Sequence, residues 1–362
     1  MVNLQPGEQI GGYTLIAPLG GGAMGSVWKV RDDGGQLHAM KILRDSLTDE
    51  RSLVSTTVDR NADSGISETV TARERLRREA MALQRVHHPG VSEIVDMELD
   101  DALAFIVTEL IEGNNLRDDI ADNGRYIGDD LERLAHKLMD AVHAVHRAGI
   151  VHRDIKPTNV MVAATGPILV DFGIAMGEGE SHVTRTGLVM GTPGFIAPEI
   201  IDGAESSEAT DWWSVAAVLA YAATGKAVFG TRPMMTVLER EASGNADLSG
   251  LPLRTQHAFR KALSPDPHAR STPEELLHAI ALDALEPQVW HQAIASQESS
   301  TALLGNSAAA DNSNTRTLGN REQPTAIPDH APETKVMRPF GDTSLNDLST
   351  TAIGEGGVAA QD

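Results

Sequence analysis

The chain has 362 residues, 41% of them hydrophobic and 22% charged, with 51 acidic against 30 basic side chains and a formal charge of −21. That length gives room for a two-lobed domain with its own core plus a tail, and the acidity argues against a nucleic-acid backbone as partner and reads as a solubility feature. Cysteine is absent, which excludes a disulfide framework and any thiolate metal or redox site.

The opening MVNLQPGEQI carries neither the basic nor the apolar region of a signal peptide. The longest apolar run, Trp212 to Ala223, is interrupted by Ser214 and falls short of the ~20 residues a spanning helix needs. These features predict a cytoplasmic protein with no membrane span.

Residues 1–9 read as an N-terminal extension. Tyr13 to Leu19 and Ser26 to Arg31 are rich in β-branched and aromatic residues and read as strands, joined by Gly20-Gly21-Gly22-Ala23-Met24-Gly25. With Val27 this gives G-x-G-x-x-G-x-V, in which glycines let backbone N–H groups come close to phosphate oxygens. A Gly-rich hairpin turn is the alternative reading. A strand follows the loop rather than a helix, which excludes the dinucleotide-binding fingerprint. His38 to Leu43 reads as the next strand and carries the small Ala39 and the cation Lys41. Arg44 to Thr71 is polar, and residues 46–68 read as an insertion, either an autophosphorylation substrate or plain disorder. A helix is predicted from Ala72 to Val86, with Leu76, Leu83 and Val86 near one face together with Glu79. Ile94 to Glu98 and Ala104 to Glu109 form a predicted strand pair.

Helices are predicted over Asn115 to Asn123 and Asp129 to Ala148. The second has Leu131, Leu134, Leu138, Val142 and Val145 as its buried stripe. His143 and His146 lie three apart, but with no third ligand at suitable spacing they read as a surface pair. Next comes IVHRDIKPTNVMVAATGPILVDFG, from Ile150 to Gly173. It sets out Asp154, Lys156 and Asn159 in order, and an apolar strand then delivers Asp171. This is the layout of a phosphoryl-transfer site, where charge must be neutralised and a nucleophile aimed. Asp154 can orient a hydroxyl and Lys156 can hold the migrating group. Asn159 and Asp171 are hard oxygen ligands suited to Mg²⁺.

HRDIKPTN followed by DFG resembles the catalytic and metal loops of the eukaryotic-type (Hanks-type) serine/threonine protein kinases, most closely their bacterial branch. The resemblance implies an α+β, two-lobed fold. Its β-rich N-lobe would span 10–108 and its mainly helical C-lobe 112–285, followed by a low-complexity, disordered tail over 286–362. It implies ATP with Mg²⁺ (or Mn²⁺), held by Asn159 and Asp171. Leu19, Gly20, Gly22, Gly25, Val27, Ala39, Lys41 and Met161 would surround the nucleotide, and backbone groups of Glu109 and Ile111 would pair with adenine beside Thr108. Lys41 would be set by Glu79, with Glu74 and Glu68 as alternatives. Thr192 would touch both Asp154 and Lys156 and mark Ser/Thr specificity. Ala197-Pro198-Glu199 would close the activation segment, with Glu199 paired to Arg270, and Asp211 would hold the catalytic-loop backbone.

Thr184 and Thr186 match positions at which the bacterial enzymes phosphorylate themselves, and Arg153 would dock the phosphate. Met176 and Phe195 depart from the family pattern, the first where a basic residue is common and the second where Tyr is commoner. In the tail, Thr301, Thr315 and Thr350 each precede an aliphatic residue by three positions, a spacing favoured by phosphothreonine-reading forkhead-associated domains; coincidence in a Thr- and Ala-rich stretch is the alternative reading. The resemblance implies protein substrates, a second copy through the N-lobe and a signalling role, and the tail threonines add such a domain as an expected partner.

Overall fold

A computed structural model describes residues 4–22, 25–43, 72–99, 103–173 and 191–297. The 46–68 insertion, Thr184, Thr186, Met176 and the tail threonines lie outside the described residues.

The small lobe is an antiparallel sheet in the order β1-β2-β3-β4-β6-β5. Its strands are β1 (Gln9–Ile10), β2 (Tyr13–Gly22), β3 (Gly25–Arg31), β4 (Leu37–Leu43), β5 (Ile94–Glu98) and β6 (Phe105–Glu109). Side chains alternate as the pleat requires. In β4, His38, Met40 and Ile42 are buried while Ala39 and Lys41 are half-buried. The buried face joins Tyr13, Leu15, Trp28, Val30, Phe105 and Val107 in one apolar cluster. The other face therefore presents Val27 beside Lys41 and Ala39 beside Thr108, as the register sets them.

The glycine-rich stretch departs from the expected loop. The β2–β3 ladder continues past Leu19 through Gly20↔Val27 and Gly21↔Ser26 to Gly22↔Gly25. Gly25 has φ +152°, and a Cβ there would lie 2.0 Å from the carbonyl oxygen of Ile42. Only glycine fits where two backbones approach so closely.

One helix, α1 (Ala72–Leu83), follows in the small lobe and buries Leu76, Ala80 and Leu83 in the cluster that also fills the large lobe. The large lobe contains a second sheet, β7 (Asn114–Asn115), β8 (Val160–Ala163) and β9 (Gly166–Leu169). Its first helices are α2 (Leu116–Asn123), α3 (Gly128–Arg147), α4 (Pro198–Ile201) and α5 (Glu208–Thr224), followed by α6 (Met234–Ala242), α7 (Leu253–Ala262) and α8 (Pro273–Ala284). Helices α2 and α8 start on side-chain caps that satisfy orphan N–H groups. The side chain of Asn115 accepts from Asp118 N–H at 3.1 Å, and that of Thr272 from Glu275 N–H at 3.2 Å. Helix α5 is apolar on nearly all sides and buried from Thr210 to Thr224 apart from Trp212 and Tyr221, so it forms the centre of the lobe. It stops at Gly225, in the left-handed region at φ 71°.

Two expectations are corrected here. His146 is not on the surface: it is 8% exposed and sits 2.9 Å from Asp211, because the α3 stripe is wide enough to turn it inward against α5. The tail does not begin at 286, since residues 287–297 are helical. Trp290 is 1% exposed within the large-lobe core, and its Nε1–H donates to the Asp283 carbonyl at 3.1 Å. Burying so large an aromatic outweighs the polar composition around it. Among the described residues no helix is long and apolar enough to cross a membrane.

Candidate active site

The 150–173 stretch is held from below by one carboxylate. Asp211, 2% exposed on α5, accepts from His152 N–H at 2.7 Å and from Arg153 N–H at 2.9 Å. A buried carboxylate is tolerable when its oxygens are occupied in this way. Arg153 and Asp171 have φ of 67° and 57°, a region that costs a side-chain-bearing residue about 1–3 kcal/mol. Both bear functional side chains, so the anchoring from α5 holds backbone strain at the site. His152 is fully buried with its ring 4.5 Å from that of Phe172. Burial pushes its pKa down, so it stays neutral, and its Nδ1 faces the Asp154 N–H at 3.4 Å.

Around Asp154 the expected groups are gathered. Lys156 Nζ donates to both carboxylate oxygens, at 3.0 and 2.7 Å. Asn159, 5% exposed on a 3-10 turn (Pro157–Asn159), donates from Nδ2 to the Asp154 carbonyl at 2.9 Å and to its Oδ2 at 3.0 Å. Asp171, delivered by β9, is hydrogen-bonded to Lys41 Nζ, which reaches across from β4. Val27, Ala39, Thr108 and Met161 are half-buried, as is Ile111, while Leu19 is 51% exposed. Glu109 ends β6, and its N–H donates to Glu93 O at 3.0 Å.

Two expected contacts are replaced by others. Lys41 does not pair with Glu79: Arg153 Nη1 lies 2.9 Å from each oxygen of Glu79. One guanidinium nitrogen thus spans the Glu79 carboxylate, and Lys41 takes the Asp171 carboxylate. Thr192 lines the hollow that also holds Asp154 and Lys156, yet it is exposed and bonds to neither side chain. The Lys156–Asp154 contact forms without it.

Other pairings formed as the sequence implied. Arg270 clasps Glu199 at 2.8 and 2.6 Å. Sequence reasoning missed Ser214 and Glu241. Ser214 Oγ donates to Phe195 O at 2.9 Å, and Glu241 Oε1 accepts from Gly194 N–H at 2.8 Å and Ile196 N–H at 3.0 Å. A signal was present for Glu241, since it shares the inner stripe of α6 with Val237 and Leu238, an acid at a core position.

The donor set suits a hard divalent cation. Asp171 and Asn159 offer carboxylate and amide oxygens. Among the described residues no group of three or more His, Cys, Asp or Glu could hold a metal ion. A β-sheet lobe carrying Lys41 and a helical lobe carrying Asp154 and Asp171 make the two-lobed architecture that the sequence resemblance implies. Residues 13–280 match the protein kinase domain family, and the chain belongs to it. That family uses ATP and a divalent metal ion.

The probable serine/threonine-protein kinase PkwA of Thermomonospora curvata is 31% identical over 282 residues, covering 77% of this chain and 35% of that protein. Serine/threonine-protein kinase PkaA of Streptomyces coelicolor is 29% identical over 289 residues, 75% of this chain and 50% of its own length. Serine/threonine-protein kinase PknA of Mycobacterium tuberculosis is 31% identical over 234 residues, covering 63% and 50%. The chain thus spans about a third to a half of the length of these relatives.

Proposed function

We propose that this chain transfers the γ-phosphoryl group of ATP to serine or threonine hydroxyls of proteins, in a signalling role. What supports the reading is a pair of neighbouring groups, Lys41 bonded to Asp171 and Asp154 bonded to Lys156 and Asn159, with Val170 N–H donating to Asn159 O between them. Asp154 orients the acceptor hydroxyl and receives its proton, and Lys156, already on the Asp154 carboxylate, supports the transferring group. Asn159 and Asp171 would hold Mg²⁺ (or Mn²⁺), which when bound would neutralise the charge that develops on phosphate oxygens. Ala39 is small enough to admit a purine ring against Thr108 and Met161, with Leu19, Val27 and the strand bearing Gly20, Gly22 and Gly25 above. Backbone groups of Glu109 and Ile111 would meet its edge. A cytosolic location, where ATP is supplied, goes with this reading.

The kinase domain is taken as 10–285 with the helix to 297 appended, and the remainder as a tail. Autophosphorylation at Thr184 or Thr186 would bring a phosphate to Arg153, releasing Glu79 towards Lys41, and Thr192 would join Asp154 and Lys156 in that state. Phosphorylated Thr301, Thr315 or Thr350 would recruit a forkhead-associated domain, and pairing through the N-lobe would let one copy modify another. The test is labelling with ATP and Mg²⁺. Thr184 or Thr186 gains phosphate in the wild type and not in Asp154→Asn or Lys41→Met, and labelling that persists in both variants refutes the reading.

A further inference from the structure

Glu241 lies on α6, which packs against α4 just after residues 191–196. Its side chain is 0% exposed. One oxygen receives two backbone N–H groups, and the other is equally buried with no hydrogen-bond partner. Burial pushes this carboxyl up to about 7, and no arginine, lysine or histidine is paired with it among the described residues. A buried acid without a cation is an expensive choice, so what it grips deserves an account in chemical terms.

The grip falls on three consecutive backbone groups. Gly194 N–H goes to Glu241, Phe195 C=O receives Ser214 Oγ, and Ile196 N–H goes to Glu241. Gly194 stands at φ +102°, a shape that side-chain-bearing residues rarely adopt. The turn is tied back once more by Phe195 N–H donating to Thr192 O at 3.1 Å. Thr192, Phe195 and Ile196 line the same hollow as Asp154 and Lys156. The carboxylate therefore fixes, from behind, the stretch of backbone beside the catalytic aspartate.

We propose that Glu241 is a positioning residue for the acceptor protein. By pinning Gly194 and Ile196 it holds the surface on which the chain around the acceptor serine or threonine is laid. It thereby sets the affinity and choice of acceptor and leaves nucleotide binding alone. This rests on the kinase reading above.

Steady-state kinetics of the full chain, with a degenerate threonine-peptide library and ATP varied in turn, tests it. Glu241→Ala raises the peptide KM about tenfold or more, the worth of two backbone hydrogen bonds lost together, and leaves the KM for ATP unchanged. Glu241→Gln keeps an accepting oxygen and recovers most of the loss. Ser214→Ala moves the peptide KM the same way by about threefold, as a neutral hydrogen bond would. An unchanged peptide KM in Glu241→Ala overturns the proposal, as does a rise in both KM values together, or a Gln variant as impaired as the Ala variant. Should Glu241→Ala fail to fold, Ser214→Ala decides: a raised peptide KM at constant ATP KM supports the proposal and no change overturns it. A wild-type chain that phosphorylates no peptide at all removes the kinase reading instead, which is a separate result.

Discussion

Two arginine–glutamate pairs in this molecule are twins by chemistry and by burial. Arg270–Glu199 and Arg153–Glu79 both have side chains that are 7% and 19% exposed; Arg270 sets two nitrogens 2.8 and 2.6 Å from Glu199, and Arg153 sets one 2.9 Å from each Glu79 oxygen. They differ in what they join. Arg270 ties α4 to the turn before α8, and its Nε also donates to Ser264 O at 2.9 Å, so the whole fork is committed within one lobe. Arg153 sits at a strained φ in the catalytic loop and reaches α1 of the small lobe, whose Glu79 has a second candidate cation in Lys41. Distance and burial alone cannot separate a fixed rivet from an exchangeable contact. A competing partner can.

The largest expected effect lies at the centre that both pairs serve. Asp154→Asn lowers phosphoryl transfer by about 10²–10⁴-fold while the urea midpoint stays put; a fall in both would make Asp154 structural. Next is the rivet. Arg270→Ala leaves Glu199 buried without its cation and costs about 3–5 kcal/mol of unfolding free energy, read from urea titration.

A third buried acid, Glu241, sharpens the contrast because it is held by amides instead of an arginine. Its folded pKa of about 7 lies above the ordinary value of 4.5, so the fold favours the protonated form. Its contribution is fully present below pH 4.5 and is lost as pH rises through 7. Relative to Glu241→Gln, the wild type loses up to about 3 kcal/mol over that window, from 1.36 kcal/mol per pKa unit. A flat difference across pH 4.5–7.5 contradicts it.

Arg153→Ala costs about half of what Arg270→Ala does, or less, since Glu79 then turns to Lys41 rather than staying unpaired; equal costs would erase the distinction drawn above. Smallest is the exposed pair Arg133–Asp130, at 62% and 66% exposure. Arg133→Ala changes stability by less than about 0.5 kcal/mol in thermal denaturation.

Much of this site was legible because its residues are neighbours in sequence. Asp154, Lys156 and Asn159 fall within six positions, and the strand alternation that turns Ala39 and Lys41 to one face is a local pattern. Asp211 and the Glu199–Arg270 clasp came from resemblance, since nothing local pairs residues 71 positions apart. That Glu79 meets Arg153 rather than Lys41 here was not legible, because local pattern does not rank competing cations. Glu241 was passed over since a glutamate on a short helix usually faces water. Trp290 was overlooked because a lone aromatic in a polar stretch gives no periodic signal.

That tryptophan has a practical corollary for anyone shortening the chain. Trimming at Leu285, where the composition turns polar, would strip out an indole that plugs the large lobe and would strand the Asp283 carbonyl it serves. The resulting void would cost about 3–5 kcal/mol, as for emptying any aromatic core position. A shortened protein that aggregates while one ending after Gln297 behaves well would then reflect a missing plug and carry no information about the kinase chemistry.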